Sequence, residues 1–269
     1  MLGSMVCRAA TFEEPWFRHW ALMLDLDDPT RPLEQRNVHR KVWEWACIAQ
    51  ALHERGALRE GARGLGFAVG TERLPALFAS FGVHVLATDT GDEEIADTWK
   101  KSGEYAGALD GLYFGKVLGR AEFDKRVSYR HVDMRDLSGL EREHYDFIWS
   151  ACALEHLGSL AAGTEFIVRA TALLKPGGVA VHTTEYNVSS VDATVESGET
   201  VLYRRCDLER LDCALRDVGA GLVTLDLDPG THEFDLKYDV PPFYHSTRRH
   251  LKLRLAGYVC TSVLLVVQN

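Results

Sequence analysis

The stretch GARGLGFAVGTERLPALFASFGVHVLATD, residues 61–89, decides the fold. A short apolar run at 62–66 reads as a strand. Gly64, Gly66 and Gly70 then make a G-x-G-x-x-x-G turn. The pattern from 71 to 81 predicts a helix stopped by Phe81-Gly82, and VHVLATD at 83–89 predicts a second strand ending in an acid, Asp89. Strand, glycine turn, helix and strand make up the opening of a nucleotide-binding βαβ unit. Glycine serves where the backbone turns sharply or where a ligand lies against it with no side chain between. An acid closing the second strand can accept hydrogen bonds from both hydroxyls of a ribose.

Further strands are expected at 127–133, 145–150, 179–185, 222–228 and 258–268. Helices are expected at 160–174 and 206–218, and KPGG at 175–178 reads as a tight turn. Strands alternating with helices predict a parallel sheet covered on both faces. The connection before the last strand, around YDVPPFYHSTRRH, holds no convincing helix. A strand without a crossover helix is free to run antiparallel.

The chain has 269 residues, 46% hydrophobic and 26% charged. That suits one globular domain, with or without elaborations. A formal net charge of -9 argues against nucleic acid or anionic lipid as the main partner. No apolar run reaches bilayer length, and the first residues lack the apolar core of a secretory signal. Cysteines at 7, 47, 152, 206, 213 and 260 form no CxxC pair and no zinc-like cluster. Reduced thiols in a cytoplasmic protein are therefore expected, with no metal site; a homodimer is left open.

Two cofactors carry an adenosine that would use Asp89, a nicotinamide dinucleotide and S-adenosylmethionine. The glycine spacing does not choose between them. Three later features do. HVDMRDL puts Asp133 and Met134 at the end of the third strand, where an acid accepts from an adenine amino group and a thioether packs on the ring. YDFIWSACALEHLGSL is an apolar strand emptying into a loop with Glu155 and His156. LLKPGGVAVHTTE delivers Glu185 at the end of the fifth strand. In this order, the features resemble a class I S-adenosylmethionine-dependent methyltransferase over roughly 60–269. No Tyr-x-x-x-Lys pair supports the common short-chain dehydrogenase chemistry.

The resemblance implies an α/β fold: a Rossmann-like, seven-stranded, mostly parallel sheet with helices on both faces and the last strand antiparallel. It implies S-adenosylmethionine as cofactor, held by Gly64, Gly66, Phe67, Gly70, Asp89, Thr90, Asp133, Met134, Ser150 and Ala151. The family often has an acid two residues before the first glycine of G-x-G-x-G. Here that position is Gly64, and the middle glycine is Ala68. Contacts to the methionine amino group are therefore expected from Glu72 or from the N-terminal helices.

Residues 1–58 read as a helical extension covering the site, and 59–269 as the cofactor-binding domain, with a substrate insertion at about 229–252. Ligands of such sheets sit beyond the carboxyl ends of the strands, so Asp89, Asp133, Ser150 and Glu185 should share one rim with Glu155 and His156. His156 is the first candidate for a general base, because an imidazole titrates near neutral pH. Glu155 and Glu185 are the other catalytic candidates. His39, Trp43, Tyr186, Asn187, Tyr244 and His245 are expected to bind substrate. The expected activity is methylation of a small molecule, at a hydroxyl of a sugar, a glycan precursor or a secondary metabolite. The alternatives are cyclisation or cleavage of the same cofactor, and a non-catalytic adenosine-binding module.

Overall fold

The computed structural model describes residues 1–93, 97, 100–101, 103, 105–243 and 249–269. Its first element is a strand, β1 (Ser4–Val6). Helices α1 (Pro15–Met23) and α2 (Arg40–Glu54) follow. Proline begins α1, where its missing N–H costs nothing. His39 caps α2, its Nδ1 accepting the Lys41 N–H at 3.0 Å. The quoted stretch becomes β2 (Arg63–Phe67), α3 (Leu74–Ser80) and β3 (His84–Asp89). Then come α4 (Arg120–Arg126), β4 (Val127–His131), β5 (Tyr145–Ala151), α5 (Leu160–Thr171) and β6 (Leu174–Asn187). The chain ends with α6 (Arg205–Arg216), β7 (Gly221–Leu222), β8 (Leu225–Asp226), β9 (Leu253–Leu255) and β10 (Tyr258–Gln268).

All the strands join one sheet in the order β4-β3-β2-β5-β6-β10-β1-β8, with β7 and β9 also on β10. From β4 to β6 the pairing is parallel. The last strand, β10, runs antiparallel to β6 from Cys260 opposite Asn187 to Gln268 opposite Val179. Helices α1 to α4 bury Phe17, Trp43, Leu77 and Phe123 on one face, and α5 and α6 bury Phe166, Leu208 and Leu211 on the other. The mostly parallel, two-sided sheet with an antiparallel last strand is as the sequence predicts.

The strand count differs from seven. The run 222–228 splits into β7 and β8 around Thr224, whose φ is +39°. The segment β1 inserts between β10 and β8, antiparallel to one and parallel to the other. The N-terminal segment is thus woven into the sheet as well as laid over it. Three residues are too few for a periodic signal. The KPGG turn is an excursion within β6: pairing to β5 jumps from Tyr145 opposite Leu174 to Phe147 opposite Val179. Within 229–252, buried Lys252 pairs with Asp235 at 3.1 Å, and Asp235 also accepts the Ala9 N–H at 2.9 Å. That region is tied to the N-terminus. No helix among the described residues is long and apolar enough to cross a membrane.

Candidate functional site

Beyond the carboxyl ends of β2, β3, β4 and β5 the loops enclose a cavity of about 350 Å³. Such a volume suits a nucleoside-sized ligand. Asp89 closes β3 and lines the cavity. Its Oδ2 accepts the Gly70 N–H at 3.0 Å and its Oδ1 accepts the Thr90 N–H at 2.8 Å. Each oxygen keeps a second acceptor position, which is what a vicinal diol requires. Burial raises the carboxyl's pKa, against the pull of these two backbone bonds.

The turn after β2 carries two left-handed residues, Ala68 at φ +48° and Gly70 at φ +50°. Glycine takes this conformation freely; alanine pays about 1–2 kcal/mol for it. Both line the cavity. Gly64 and Gly66 serve a different purpose. A Cβ at Gly64 would lie 2.4 Å from Cζ of Phe147, and one at Gly66 would lie 2.3 Å from Cζ2 of Trp149. These glycines let the aromatic residues of β5 lie across β2. Phe67 is fully buried and meets Phe166 edge-on at 5.0 Å. None of the three lines the cavity.

The cavity's other walls hold charge. Glu72 is buried and accepts the Trp149 indole N–H at 3.0 Å. Burial pushes its pKa up to about 8. Lys41 and Trp45, both from α2, face the same cavity. Lys41 reaches Glu44 at 3.2 Å. Asp133 and Met134 line it as expected, but Asp133 is already engaged: Arg135 grips both of its oxygens at 2.8–3.0 Å. The sequence reading missed Lys41, Trp45 and Arg135. Long amphipathic side chains on a helix face or beside an acid give no signal that tells a ligand wall from a solvated surface.

At the end of β5, Ala151, Cys152, Ala153 and His156 line the cavity. His156 is exposed, and its Nδ1 lies 2.8 Å from the Glu199 carbonyl. Donation from Nδ1 places the ring's basic site on Nε2. Glu155, one residue earlier, points inward and accepts the Thr184 hydroxyl at 2.9 Å. Glu185 is buried and ion-paired with Arg40. Cys152 joins this buried group with φ +49°; its thiol donates to Glu44 at 3.1 Å, and burial holds it neutral. Glu155 and Glu185 thus lie behind the cavity wall at Cys152, and only His156 of the three catalytic candidates lines the cavity.

Several expected contacts lie elsewhere. Ser150 is fully buried, its hydroxyl 2.8 Å from His182. Trp43 is fully buried in the core beneath α2. His39 caps α2 and stacks on His250 at 4.6 Å. Tyr186 packs with α5 and α6, and Asn187 organises the loop after β6 by accepting the Ser189 and Ser190 N–H groups. None of these five lines the cavity. Trp45, two residues further along α2, faces the cavity, while Trp43 takes the core. The tight bundle of α1, α2 and sheet buries more of α2 than an amphipathic stripe. Tyr244 and His245 lie outside the described residues.

Glu72, Asp89 and Asp133 line this cavity beside Lys41 and Arg135, and their oxygens offer acceptors to a ribose diol, an adenine amino group and an ammonium. The central part of the chain carries an S-adenosylmethionine-dependent methyltransferase domain, with S-adenosylmethionine as cofactor. Residues 65–182, from β2 into β6, match the family described as Methyltransferase domain. Similar solved structures include an S-adenosylmethionine dependent methyltransferase from Mesorhizobium loti, 14% identical over 82% of this chain and 96% of that one, TM-score 0.47. The magnesium protoporphyrin IX methyltransferase of Synechocystis PCC 6803 is 13% identical over 84% and 81%, TM-score 0.47. Phosphoethanolamine N-methyltransferase 2 of Haemonchus contortus is 18% identical over 65% of this chain and 37% of its own, TM-score 0.42. No curated protein sequence matches the chain. At such identities the acceptor of each relative remains a property of that relative.

Proposed function

We propose that this enzyme methylates a hydroxyl of a small polar molecule, a sugar, a glycan precursor or another secondary metabolite, with His156 as general base. The carrying observation is the place of His156: an exposed imidazole on the cavity wall just past β5, its Nδ1 directed to the Glu199 carbonyl. In this reading Asp89 holds the ribose, Asp133 and Met134 face the adenine, and Glu72 and Lys41 take the ammonium and carboxylate of the methionine tail.

Bound S-adenosylmethionine supplies a methyl carbon on a positively charged sulfur. The protein's work is then position and proton removal. Asp89, Asp133, Met134, Glu72 and Lys41 would hold that cofactor, which would supply the methyl group to the acceptor oxygen and keep the bonding pair on its sulfur. The hydroxyl proton passes to His156 Nε2. A positioned base is worth about 10²–10⁴-fold in rate.

A screen of metabolite fractions with methyl-labelled cofactor identifies the acceptor. His156→Ala and His156→Gln should then lower kcat by about 10²–10⁴-fold while S-adenosylhomocysteine binds as before. Unchanged turnover in both variants retires His156 as the base.

A further inference from the structure

Behind the Cys152 wall of the cavity, three carboxyl groups share space with two cations. Glu44 takes both cations, Arg40 at 3.4 Å and Lys41 at 3.2 Å, and also accepts from Ser262 and Cys152. Arg40 also pairs with Glu185 through Oε1. Oε2 of Glu185 is buried and accepts no hydrogen bond among the described residues, with the Cys260 thiol the neighbouring weak donor of this carboxylate. Glu155 receives the Thr184 hydroxyl and, among the described residues, no cation within ion-pair distance. The Cys152 sulfur and one oxygen from each of Glu155 and Glu185 lie within 4.8 Å of one another. Among the described residues one negative charge is thus left over, beside an acceptor atom with no strong donor.

A buried carboxylate in that state is costly unless a cation or donors complete it. Burial answers in part by raising the Glu155 pKa. A ligand that brought one positive charge and several N–H donors would satisfy both carboxylates at once. A protonated amine does this with three donors on one compact centre. Both carboxylates are only 2% exposed, and a headgroup coming from the cavity meets them only once the Cys152 side chain at the wall gives way.

We propose that the acceptor carries a protonated amino group, seated between Glu155 and Glu185 past the Cys152 thiol, beside the hydroxyl that faces His156. The substrate class is an amino alcohol or amino sugar. This rests on the hydroxyl-methylation reading above. The amine is a recognition group and takes no part in methyl transfer.

The test uses the full chain saturated with S-adenosylhomocysteine and two matched probe pairs, ethanolamine against ethylene glycol and 2-amino-2-deoxyglucose against glucose. Binding is read by ligand-observed NMR. The amine of each pair should bind at least about tenfold more tightly, the effect of one charge-assisted contact. Glu185→Gln and Glu155→Gln should each erase most of that preference. Unchanged melting temperature and S-adenosylhomocysteine affinity show that a variant is folded; should one fail this check, the other decides. Equal binding within each pair overturns the proposal, as does a preference that survives in a folded variant. So does zinc taken up stoichiometrically by the wild type and lost in Cys152→Ser, which would make the same three side chains a metal site. The hydroxyl reading fails separately, by unchanged turnover in the His156 variants whatever the probes do.

Discussion

The indole N–H of Trp149 donates to Oε2 of Glu72 across 3.0 Å, joining the centre of β5 to the turn after β2 at the wall of the cavity. Trp149 itself fits there because Gly66 has no side chain. One contact therefore links packing of the sheet to the charge of the site.

Glu72, proposed above to meet the methionine ammonium, should make cofactor binding depend on pH. Burial holds its pKa near 8, so at neutral pH the carboxyl is mostly protonated. An ammonium favours the carboxylate and drives the proton off. Affinity for S-adenosylmethionine should rise with pH, by up to about tenfold per unit, and level off above about 8. Calorimetry from pH 6 to 9 in buffers of different ionisation enthalpy would show proton release, and Glu72→Gln should bind more weakly with that pH dependence gone. Stability follows the opposite sense. The folded pKa lies above the ordinary 4.5, so the folded state holds the proton more tightly, and stability from this group falls as pH rises from about 4.5 to about 8. Urea titrations of Glu72→Gln should lack that fall.

Asp89→Asn removes the charge that a ribose diol would meet and keeps the shape. S-adenosylhomocysteine affinity should drop by about 10–100-fold, the worth of one or two hydrogen bonds to a charged group. Equilibrium titration checks this, and undiminished binding would dislodge Asp89 from the ribose.

The two glycines of β2 and the alanine of the turn make opposite predictions. Gly66→Ala drives a methyl group into the Trp149 ring and should cost about 1–3 kcal/mol by overpacking. Ala68→Gly relieves a left-handed alanine and should gain up to about 1 kcal/mol after its larger unfolded-state entropy is counted. Denaturant midpoints of the two variants should move in opposite directions.

Glu44→Ala strips the carboxylate shared by Arg40 and Lys41, whose side chains are 11% and 32% exposed. Breaking a buried ion pair from one side costs about 3–5 kcal/mol. Glu44→Gln keeps the shape and one acceptor and should cost less. Chemical denaturation ranks the three proteins.

Part of the cavity lining is legible along the chain. Asp89 announces itself because an apolar strand ends on an acid nineteen residues after a glycine turn, and local pattern alone positions both. Asp133, Met134 and His156 follow from the same logic, each lying just past a strand end. Gly64 and Gly66 were located correctly in β2, yet their partners are Phe147 and Trp149, some eighty residues away. A glycine shows that something comes close, without showing what.

The alternation of strands and helices, the missing crossover before 258–268 and the acid-tipped second strand are local or near-local properties, and they suffice for the layered sheet, its antiparallel final strand and the place of Asp89 on the cavity rim. Lys41 facing the cavity, Glu155 turned from it, and Arg40, Glu44, Cys152, Glu185 and Ser262 meeting in one buried group depend on the angle at which α2 crosses the ends of β5, β6 and β10. That angle comes from the packing of Trp20, Trp43 and their neighbours, a balance of many weak contacts between distant segments that no run of residues encodes.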